Sequence, residues 1–195
     1  MPKIQRWWLL VGAGVIVFAL IVLLFVHDAQ TPAAPVAEPL TQTFDKSPTG
    51  FTLKYPDDWT YEIPAIGTFI LAPSQTLDGT EAGPTFTVQR TEPLIELGTL
   101  DNVINRYLQN GPLHTPGNWQ ITKPLYTLQL DRQSTRAVEL QGADVPNTPP
   151  LYTRIIAISA KNTFVYLLIT TEPASKRTAY DPTLDAMLAT VQILE

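Results

Sequence analysis

Hydrophobic residues are distributed unevenly along the chain, with one uninterrupted apolar block near the N-terminus. Residues 9–26 contain no charged or strongly polar side chain, and Trp7 and Trp8 extend the block to 20 residues. A helix of that length spans about 30 Å, which is the thickness of the hydrocarbon core of a bilayer. Because peptide groups in lipid must bond to one another, the block predicts one transmembrane helix over residues 7–26.

The charges on either side of this block predict its orientation. Lys3 and Arg6 precede it, whereas His27 and Asp28 follow it. Positive flanks stay in the cytoplasm, so residues 1–6 are the cytoplasmic N-terminus and the remainder is extracytoplasmic. A cleaved signal peptide is the alternative, but its apolar core has only about 7–15 residues and ends at a small-residue cleavage site. The length of the block and the residues directly after it favour a retained signal anchor.

After the block, the chain passes through a Pro- and Ala-rich stretch into short segments that alternate apolar and polar residues. Residues 27–40 predict an extended tether, since such segments extend by roughly 3.1 Å per residue. The residues from 41 to 195 predict one domain. Strands are predicted over residues 51–55, 59–63, 68–71, 85–90, 126–130, 134–140, 151–160 and 163–171.

The predicted strands differ in how their apolar residues are spaced. Residues 51–55 alternate and are followed by turn residues, so residues 59–63 are predicted to be the returning strand of a hairpin. Residues 155–158 and 164–169 are instead apolar at successive positions, which is typical of central strands covered on both faces.

Two further segments have helical periodicity. Residues 99–110 place their apolar side chains three or four positions apart, and Thr99 is the predicted N-cap. The closing helix is predicted to begin at Asp181, with Pro182 at its first helical position. Its predicted buried stripe consists of Leu184, Met187, Leu188 and Val191. Short connections between consecutive strands then predict an α+β fold, in which helices flank an antiparallel sheet.

Composition excludes several classes of function. The 195-residue chain has a formal net charge of −5, and an acidic chain is a poor partner for nucleic acid, which is bound through cations on its phosphates. The absence of Cys excludes disulfides, thiol catalysis, zinc thiolate sites and a lipidated Cys. The anchor is therefore predicted to contact the lipid bilayer through residues 7–26 alone.

No group of polar residues in the domain has the spacing of a catalytic or metal-binding motif. Asp45, Asp57 and Asp58 lack the spacing of a calcium loop and are better explained by turn formation. His114 is the only His of the domain, which is too few for a typical zinc or copper site. Ser134, Ser159, Gly79 and Gly83 match neither a hydrolase elbow nor a phosphate-binding loop. No catalytic, cofactor-binding or metal-binding residue is predicted, and no cofactor.

Basic and aromatic side chains leave two further alternatives open. Arg132, Arg136 and Arg154 lie on predicted neighbouring strands, and they either form a basic patch or are surface charges that balance Asp131 and Glu139. Five aromatic residues either line a groove or pack in the core and at its rim. They are Tyr107, Trp119, Tyr126, Tyr152 and Tyr180.

The opening of the domain resembles a known family. Residues 44–59 read FDKSPTGFTLKYPDDW, and this Gly-Phe, alternating strand, Tyr-Pro and Trp resembles the opening hairpin of PsbP-like domains. These domains are relatives of the extrinsic oxygen-evolving protein of photosystem II. The resemblance covers about residues 41–195 and implies an α/β/α sandwich, here in a membrane-anchored bacterial-type member. Family members stabilise photosystem assemblies, bind a Ran-type GTPase or occupy bacterial envelopes, so no functional residue is carried over.

These features together predict a membrane-tethered, non-catalytic binding or assembly module, single-pass in the cell membrane. A protein partner is expected at the outer membrane face. The alternative is an envelope-facing hydrolase, which requires a cleft where two or more ionisable groups converge. Signalling across the membrane is the weakest alternative, because only residues 1–6 are available on the cytoplasmic side.

Membrane fractionation tests the predicted anchor. We expect the full-length chain to resist alkaline carbonate washing, because each large apolar residue of the block contributes roughly 0.3–0.6 kcal/mol to insertion. Replacing Val17 and Leu20 with Arg should abolish this retention, since each Arg costs about 2.5–3.5 kcal/mol at mid-helix. Recovery of the full-length chain in the soluble fraction without detergent, or of a mature chain lacking the block, would contradict the prediction.

Overall fold

The computed structural model describes residues 35–45, 50–79, 82–110, 119–130, 133–143, 149–159 and 164–194. The predicted cytoplasmic N-terminus and the predicted transmembrane helix over residues 7–26 lie outside these ranges, as does most of the predicted tether. Among the helices that the structure describes, none has both the length and the apolar character needed to cross a membrane. The chain from Pro35 onward forms one compact unit.

The described part of this unit contains ten strands and four α-helices. The strands are β1 (Gln42–Asp45), β2 (Phe51–Tyr55), β3 (Trp59–Ala65), β4 (Thr68–Pro73), β5 (Thr85–Pro93), β6 (Trp119–Leu130), β7 (Gln133–Gly142), β8 (Leu151–Ser159), β9 (Phe164–Pro173) and β10 (Gln192–Ile193). The helices are α1 (Ser74–Leu77), α2 (Leu94–Leu97), α3 (Leu100–Asn110) and α4 (Arg177–Ala189), and a 3₁₀ turn, Ala174–Lys176, leads into α4.

Seven of these strands form the main sheet, in the order β3-β4-β5-β9-β8-β7-β6. Every neighbouring pair is antiparallel, which confirms the predicted sheet type. The two apolar runs lie in β8 and β9 at the middle of the sheet, as predicted. Ile155 and Ile156 belong to apolar clusters on opposite faces, so both faces of β8 are covered.

Two layers cover the main sheet. Helix α3 packs against β7 and β8 on one face, where Val103 and Ile104 are buried. Helix α4 covers the other face together with the small antiparallel sheet β1-β2-β10. Leu184, Met187 and Leu188 of the predicted stripe are buried in this second layer, and Val191 is buried there too but lies beyond the end of α4. A helix layer therefore lies on each side of the sheet, which is the α/β/α arrangement that the resemblance implied.

An aromatic cluster joins the small sheet to the main sheet. The ring of Phe44 stacks on Phe51 with centroids 5.1 Å apart, and Phe69 meets these two rings edge-on at 5.3 and 5.5 Å. Each such pair contributes roughly 0.5–1.5 kcal/mol beyond its buried area. Phe51 of the PsbP-like motif is thus a core residue.

The prediction of a hairpin between residues 51–55 and 59–63 is wrong. Strand β2 pairs with β1 and β10 in the small sheet, whereas β3 pairs with β4 in the main sheet. Phe51, Leu53 and Trp59 nevertheless enter one apolar cluster between the two sheets. The alternating apolar residues on both sides of the turn are therefore explained by burial between the two sheets, and not by pairing of the two strands.

The helix boundaries agree with the prediction at one site and differ at another. Thr99 is the N-cap of α3, because its Oγ1 accepts a hydrogen bond from the Asn102 amide at 3.2 Å. The predicted start of the closing helix at Asp181 is wrong, since α4 begins at Arg177 and contains Pro182 in its interior. An ion pair four residues apart, from Arg177 Nε to Asp181 Oδ2 at 2.8 Å, stabilises the preceding turn.

The last residues of the predicted tether contact the folded unit. The backbone amide of Glu38 donates to Thr183 Oγ1 at 3.0 Å, and Leu40 packs against the core. The side chain of Trp59 also hydrogen-bonds to Glu38. The compact unit consequently begins at Pro35, ahead of the domain start expected at residue 41.

Replacing Gly50 with Ala tests the contact between the small sheet and the main sheet. Gly50 has φ +79°, and an added Cβ would collide with the hydroxyl of Tyr166, a residue only 4% exposed. We expect a loss of about 2–4 kcal/mol in the free energy of unfolding, from left-handed strain and overpacking together.

Gly79→Ala is the matched control for that substitution. Gly79 has φ +74° but no atom within 4 Å of the added Cβ, so only the strain of about 1–2 kcal/mol remains. Equal losses for the two variants in urea denaturation would contradict the proposed collision.

Candidate functional site

A row of polar side chains crosses the main sheet on the face that α4 covers. The strand register places Lys123 of β6 opposite Glu139 of β7, and Glu139 opposite Arg154 of β8. Tyr152 of β8 lies opposite Glu172 of β9. Because alternate residues of a strand point to the same face, Tyr152 and Arg154 share this face.

Helix α4 supplies the charges that face this row. Arg177, Asp181 and Asp185 recur every four residues and therefore lie on one side of the helix. Arg154 Nη1 donates to Asp185 Oδ1 at 2.5 Å, and Arg154 Nη2 donates to Asp181 Oδ1 at 3.4 Å. One largely buried guanidinium thus joins the sheet to two successive turns of α4.

Glu139 is the centre of the network. Tyr152 donates to its Oε2 at 2.5 Å and Tyr126 donates to its Oε1 at 2.7 Å. Lys123 Nζ lies 3.4 Å from Oε1, and Arg177 Nη2 lies 3.9 Å from Oε2. Burial alone would raise the pKa of Glu139, but the two tyrosine hydrogen bonds and Lys123 outweigh it and lower that pKa. Glu139 is therefore an ionised carboxylate whose oxygens are already occupied.

The two tyrosines are held as neutral hydrogen-bond donors. Burial and the bond to the Glu139 carboxylate raise the pKa of both Tyr126 and Tyr152 well above the ordinary value. Lys123 Nζ lies 3.7 Å from the ring centroid of Tyr126, and the Arg177 guanidinium lies 3.6 Å from that of Tyr152. Each tyrosine is consequently fixed through its hydroxyl and through a cation–π contact.

Glu172 lies behind this network and is only 1% exposed. Burial and the neighbouring Asp181 raise the pKa of Glu172 to about 8, and its side chain hydrogen-bonds to Asp181. Two carboxyl groups can share a hydrogen bond only when one of them holds a proton, so Glu172 is the neutral donor at pH 7. Within the described part of the chain, Glu172 Oε2 and Arg154 Nε are buried without a hydrogen-bond partner.

A groove of about 480 Å³ opens between α4 and the edge strand β6. One part of its lining is apolar and consists of Leu128, Leu130, Leu188 and Ala189. The other part is charged and consists of Lys123, Glu139, Arg154 and Asp185, with Tyr126 and Gln129 beside them. This volume lies within the range of sites that hold a small ligand. It is also large enough for one or two side chains of a protein partner.

The groups in this groove are poorly suited to acid–base catalysis. A catalytic acid or base needs a pKa near the working pH and an open hydrogen-bonding position. The pKa of Glu139 is lowered and that of Tyr126 is raised, and each of the two is bonded to the other. Lys123 and Asp185 at the mouth have side chains 52% and 56% exposed, so they are open to solvent and to a partner. The geometry favours binding over proton transfer.

The arginines named in the sequence do not form one patch. Arg136 points to the opposite face, where its Nε donates to Asp101 Oδ1 of α3 at 2.5 Å. Arg154 instead faces α4, and Arg132 lies outside the described residues. A shared patch of Arg136 and Arg154 is therefore wrong. Neither arginine is bonded to Glu139, whose oxygens are held by the groove network, and Asp131 lies outside the described residues.

The aromatic residues are also divided between the two faces. Tyr107 and Trp119 pack against the cluster beneath α3. Tyr126 and Tyr180 pack against the cluster beneath α4, and Tyr152 bonds to Glu139 on that side. A single aromatic groove is therefore absent from these five positions.

The remaining candidates are in part outside the described residues. Asp57 and Asp58 occupy the turn before β3, as predicted. His114 and the side chain of Ser134 lie outside the described residues. Across the ranges that the structure describes, no group of three or more His, Asp or Glu side chains is placed to hold a metal ion.

The groove residues were missed as a group in the sequence. Their signal was polar side chains at alternate positions of otherwise apolar strands, as for Tyr152 and Arg154 in β8. A second signal was the four-residue spacing of Arg177, Asp181 and Asp185 in α4. Only the strand register shows that these two series face each other.

Comparison with known proteins defines the fold of the chain. No protein-family model matches it, and no curated protein matches its sequence. The solution structure of cyanobacterial PsbP (CyanoP) from Synechocystis matches with a TM-score of 0.58 at 13% identity, over 84% of this chain and 95% of that one. The Ran-binding protein Mog1p of Saccharomyces cerevisiae matches with a TM-score of 0.56 at 9% identity, over 80% of this chain and 97% of that one.

A third match is a Bacteroides thetaiotaomicron structure, with a TM-score of 0.54 at 10% identity, over 80% of this chain and 50% of that one. At these identities the likeness shows the fold alone. The fold is that of PsbP and Mog1p, in agreement with the resemblance at residues 44–59.

Arg154→Met tests the contribution of the network beneath α4. We expect the free energy of unfolding to fall by about 1–3 kcal/mol, because the substitution leaves Asp185 without its cation and Asp181 with Arg177 alone. Arg136→Met is the matched control, since Arg136 pairs with Asp101 at the more exposed face and its loss should cost much less. Equal losses in urea denaturation would show that the network has no special role in holding α4.

Proposed function

We propose that this protein is a membrane-tethered, non-catalytic binding or assembly module that holds a protein partner at the outer membrane face. Residues 7–26 would contact the lipid bilayer, with the N-terminus in the cytoplasm and the domain extracytoplasmic. The observation that carries the proposal is the groove between α4 and β6. It presents apolar and charged side chains together, while the ionisable groups of its floor are already bonded to one another.

The composition of the groove suits a protein surface. Protein interfaces combine an apolar centre with a polar rim, and here Leu128, Leu130 and Leu188 lie beside the exposed charges of Lys123 and Asp185. Those two charges are opposite in sign, so they can orient a partner that carries a complementary pair.

The rigidity of the groove floor supports the same conclusion. Tyr126 and Arg154 are each fixed by bonds to groups on a neighbouring strand or on α4. A preorganised surface loses little conformational entropy on binding, and this smaller cost increases its affinity for a partner. With Arg154 bonded to Asp185, the groove is therefore a preformed contact surface.

One fold neighbour supports a protein as the partner. Mog1p is, by its name, a Ran-binding protein, so a fold of this kind binds another protein in at least that case. Fold alone does not transfer the partner, so the proposal for this chain rests on its own groove.

An envelope-facing hydrolase is the second candidate, because the groove does bring several ionisable groups together. Its substrate would have to react at Lys123 or Asp185, since their side chains are more than half exposed, whereas those of Glu139 and Arg154 are largely buried. Hydrolysis of envelope material that is lost on Asp185→Asn would favour this candidate over the binding module.

Site-specific photo-crosslinking tests the binding module. A photoreactive residue at Gln129, an exposed groove position, should give one discrete protein adduct in native membranes. The same probe at Glu96, an exposed position of α2, should not give that adduct. Lys123→Ala should reduce the yield from Gln129, because it removes a charge at the mouth. Identical products from both probes, or none from either, would contradict the proposal.

A further inference from the structure

The carboxyl pair formed by Glu172 and Asp181 lies where the sheet is joined to α4. Glu172 is near the end of β9, and the 3₁₀ turn Ala174–Lys176 connects that strand directly to α4. Asp181 faces it from the second turn of α4 and also accepts bonds from Arg154 and Arg177. A single shared proton therefore lies at the point where three charged groups of the network meet.

The charged groups around Glu172 come from two elements packed against it. Helix α4 contributes Asp181 and Arg177, and β8 contributes Arg154. Tyr152 is its cross-strand neighbour on β8 and bonds to Glu139. Two cations are thus close to Glu172, but both are engaged with other carboxylates while Glu172 is neutral.

Two orphaned atoms indicate a second arrangement of the same groups. Glu172 Oε2 is a buried acceptor without a partner, and Arg154 Nε is a buried donor without one, within the described residues. Buried polar atoms without partners destabilise the folded state, because they have lost their hydrogen bonds to water. A rearrangement that brings the Glu172 carboxylate to Arg154 would satisfy both atoms.

We propose that the Glu172–Asp181 pair is a one-proton switch that decides which carboxylates Arg154 holds, and thereby the charge that the groove presents. With the proton in place, Glu172 donates to Asp181, and Arg154 holds Asp185 at the groove mouth. Loss of the proton to solvent leaves two carboxylates in contact. Ionised Glu172 then takes Arg154, and Asp185 is released as a free anion at the mouth.

This inference deepens the proposed function, on which it rests only for the use of the groove by a partner. The switch itself is a property of the chain alone. It would make partner binding at the groove sensitive to alkaline pH on the extracytoplasmic side.

Carboxyl and guanidinium NMR of the full-length protein in lipid nanodiscs tests the switch without a partner. Between pH 5.5 and 9.5, the Glu172 side-chain carbon should titrate with a midpoint near 8, the raised value for this group. The Arg154 Nε–H and Asp185 carboxyl signals should move with the same midpoint. Absence of a Glu172 titration within this range, as expected of a group at the ordinary value of 4.5, would overturn the proposal. So would the absence of an accompanying change at Arg154 and Asp185.

Substitutions separate the switch from general effects of pH. Glu172→Gln should abolish the coupled transition at Arg154 and Asp185, because the amide cannot ionise. Asp101→Asn is the matched control on the opposite face and should leave the transition unchanged. The wild-type titration already decides the proposal if Glu172→Gln does not fold.

Crosslinking from Gln129 is a separate readout, so its failure alone would remove the proposed partner and not the switch.

Stability gives a second readout whose sign follows from linkage. The folded state holds the Glu172 proton more tightly than the unfolded chain, so this contribution is complete below pH 4.5 and is lost as the pH rises to about 8. The free energy of unfolding should therefore fall over that window, and Glu172→Gln should reduce the slope. An unchanged slope in the variant would contradict the shared proton.

Discussion

The burial of the Glu139 carboxylate beneath α4 is the constraint on which the rest of the site depends. A buried carboxylate is costly unless hydrogen bonds and opposite charges replace its water. Tyr126, Tyr152, Lys123 and Arg177 supply them from two strands and from the helix. Because these donors must converge on one point, the register of β6, β7 and β8 and the position of α4 are fixed together.

The groove is a consequence of this arrangement. The polar row keeps the start of α4 close to the sheet, and the apolar stripe that begins at Leu184 continues the contact toward its end. Strand β6 is the edge of the sheet, and its register is interrupted on both sides of Lys123. Pro124 follows there and has no amide to offer another strand, so the edge resists strand addition. A partner is therefore expected to use side-chain contacts in the groove.

The sequence predicted those parts of the fold that local patterns determine. Central strands followed from uninterrupted apolar runs, and the Thr99 cap followed from its position before an amphipathic helix. The predicted hairpin after residue 55 was wrong, because alternating apolar residues show that a strand has a buried face but not which strand it pairs with. The start of α4 was misplaced because Pro182 is a strong start signal. The turn before it is stabilised by the ion pair of Arg177 with Asp181 and by the contacts of both residues with the sheet, which the sequence does not show. The groove itself depends on the strand register, which one sequence does not contain.

Hydrogen–deuterium exchange of the protein in its native membranes, compared with the purified protein in nanodiscs, tests the central claim most directly. If the groove between α4 and β6 is the surface that holds a partner, the native membranes should give extra protection in these two elements and leave α3 unchanged. Equal exchange in both preparations, or extra protection confined to α3, would contradict the account.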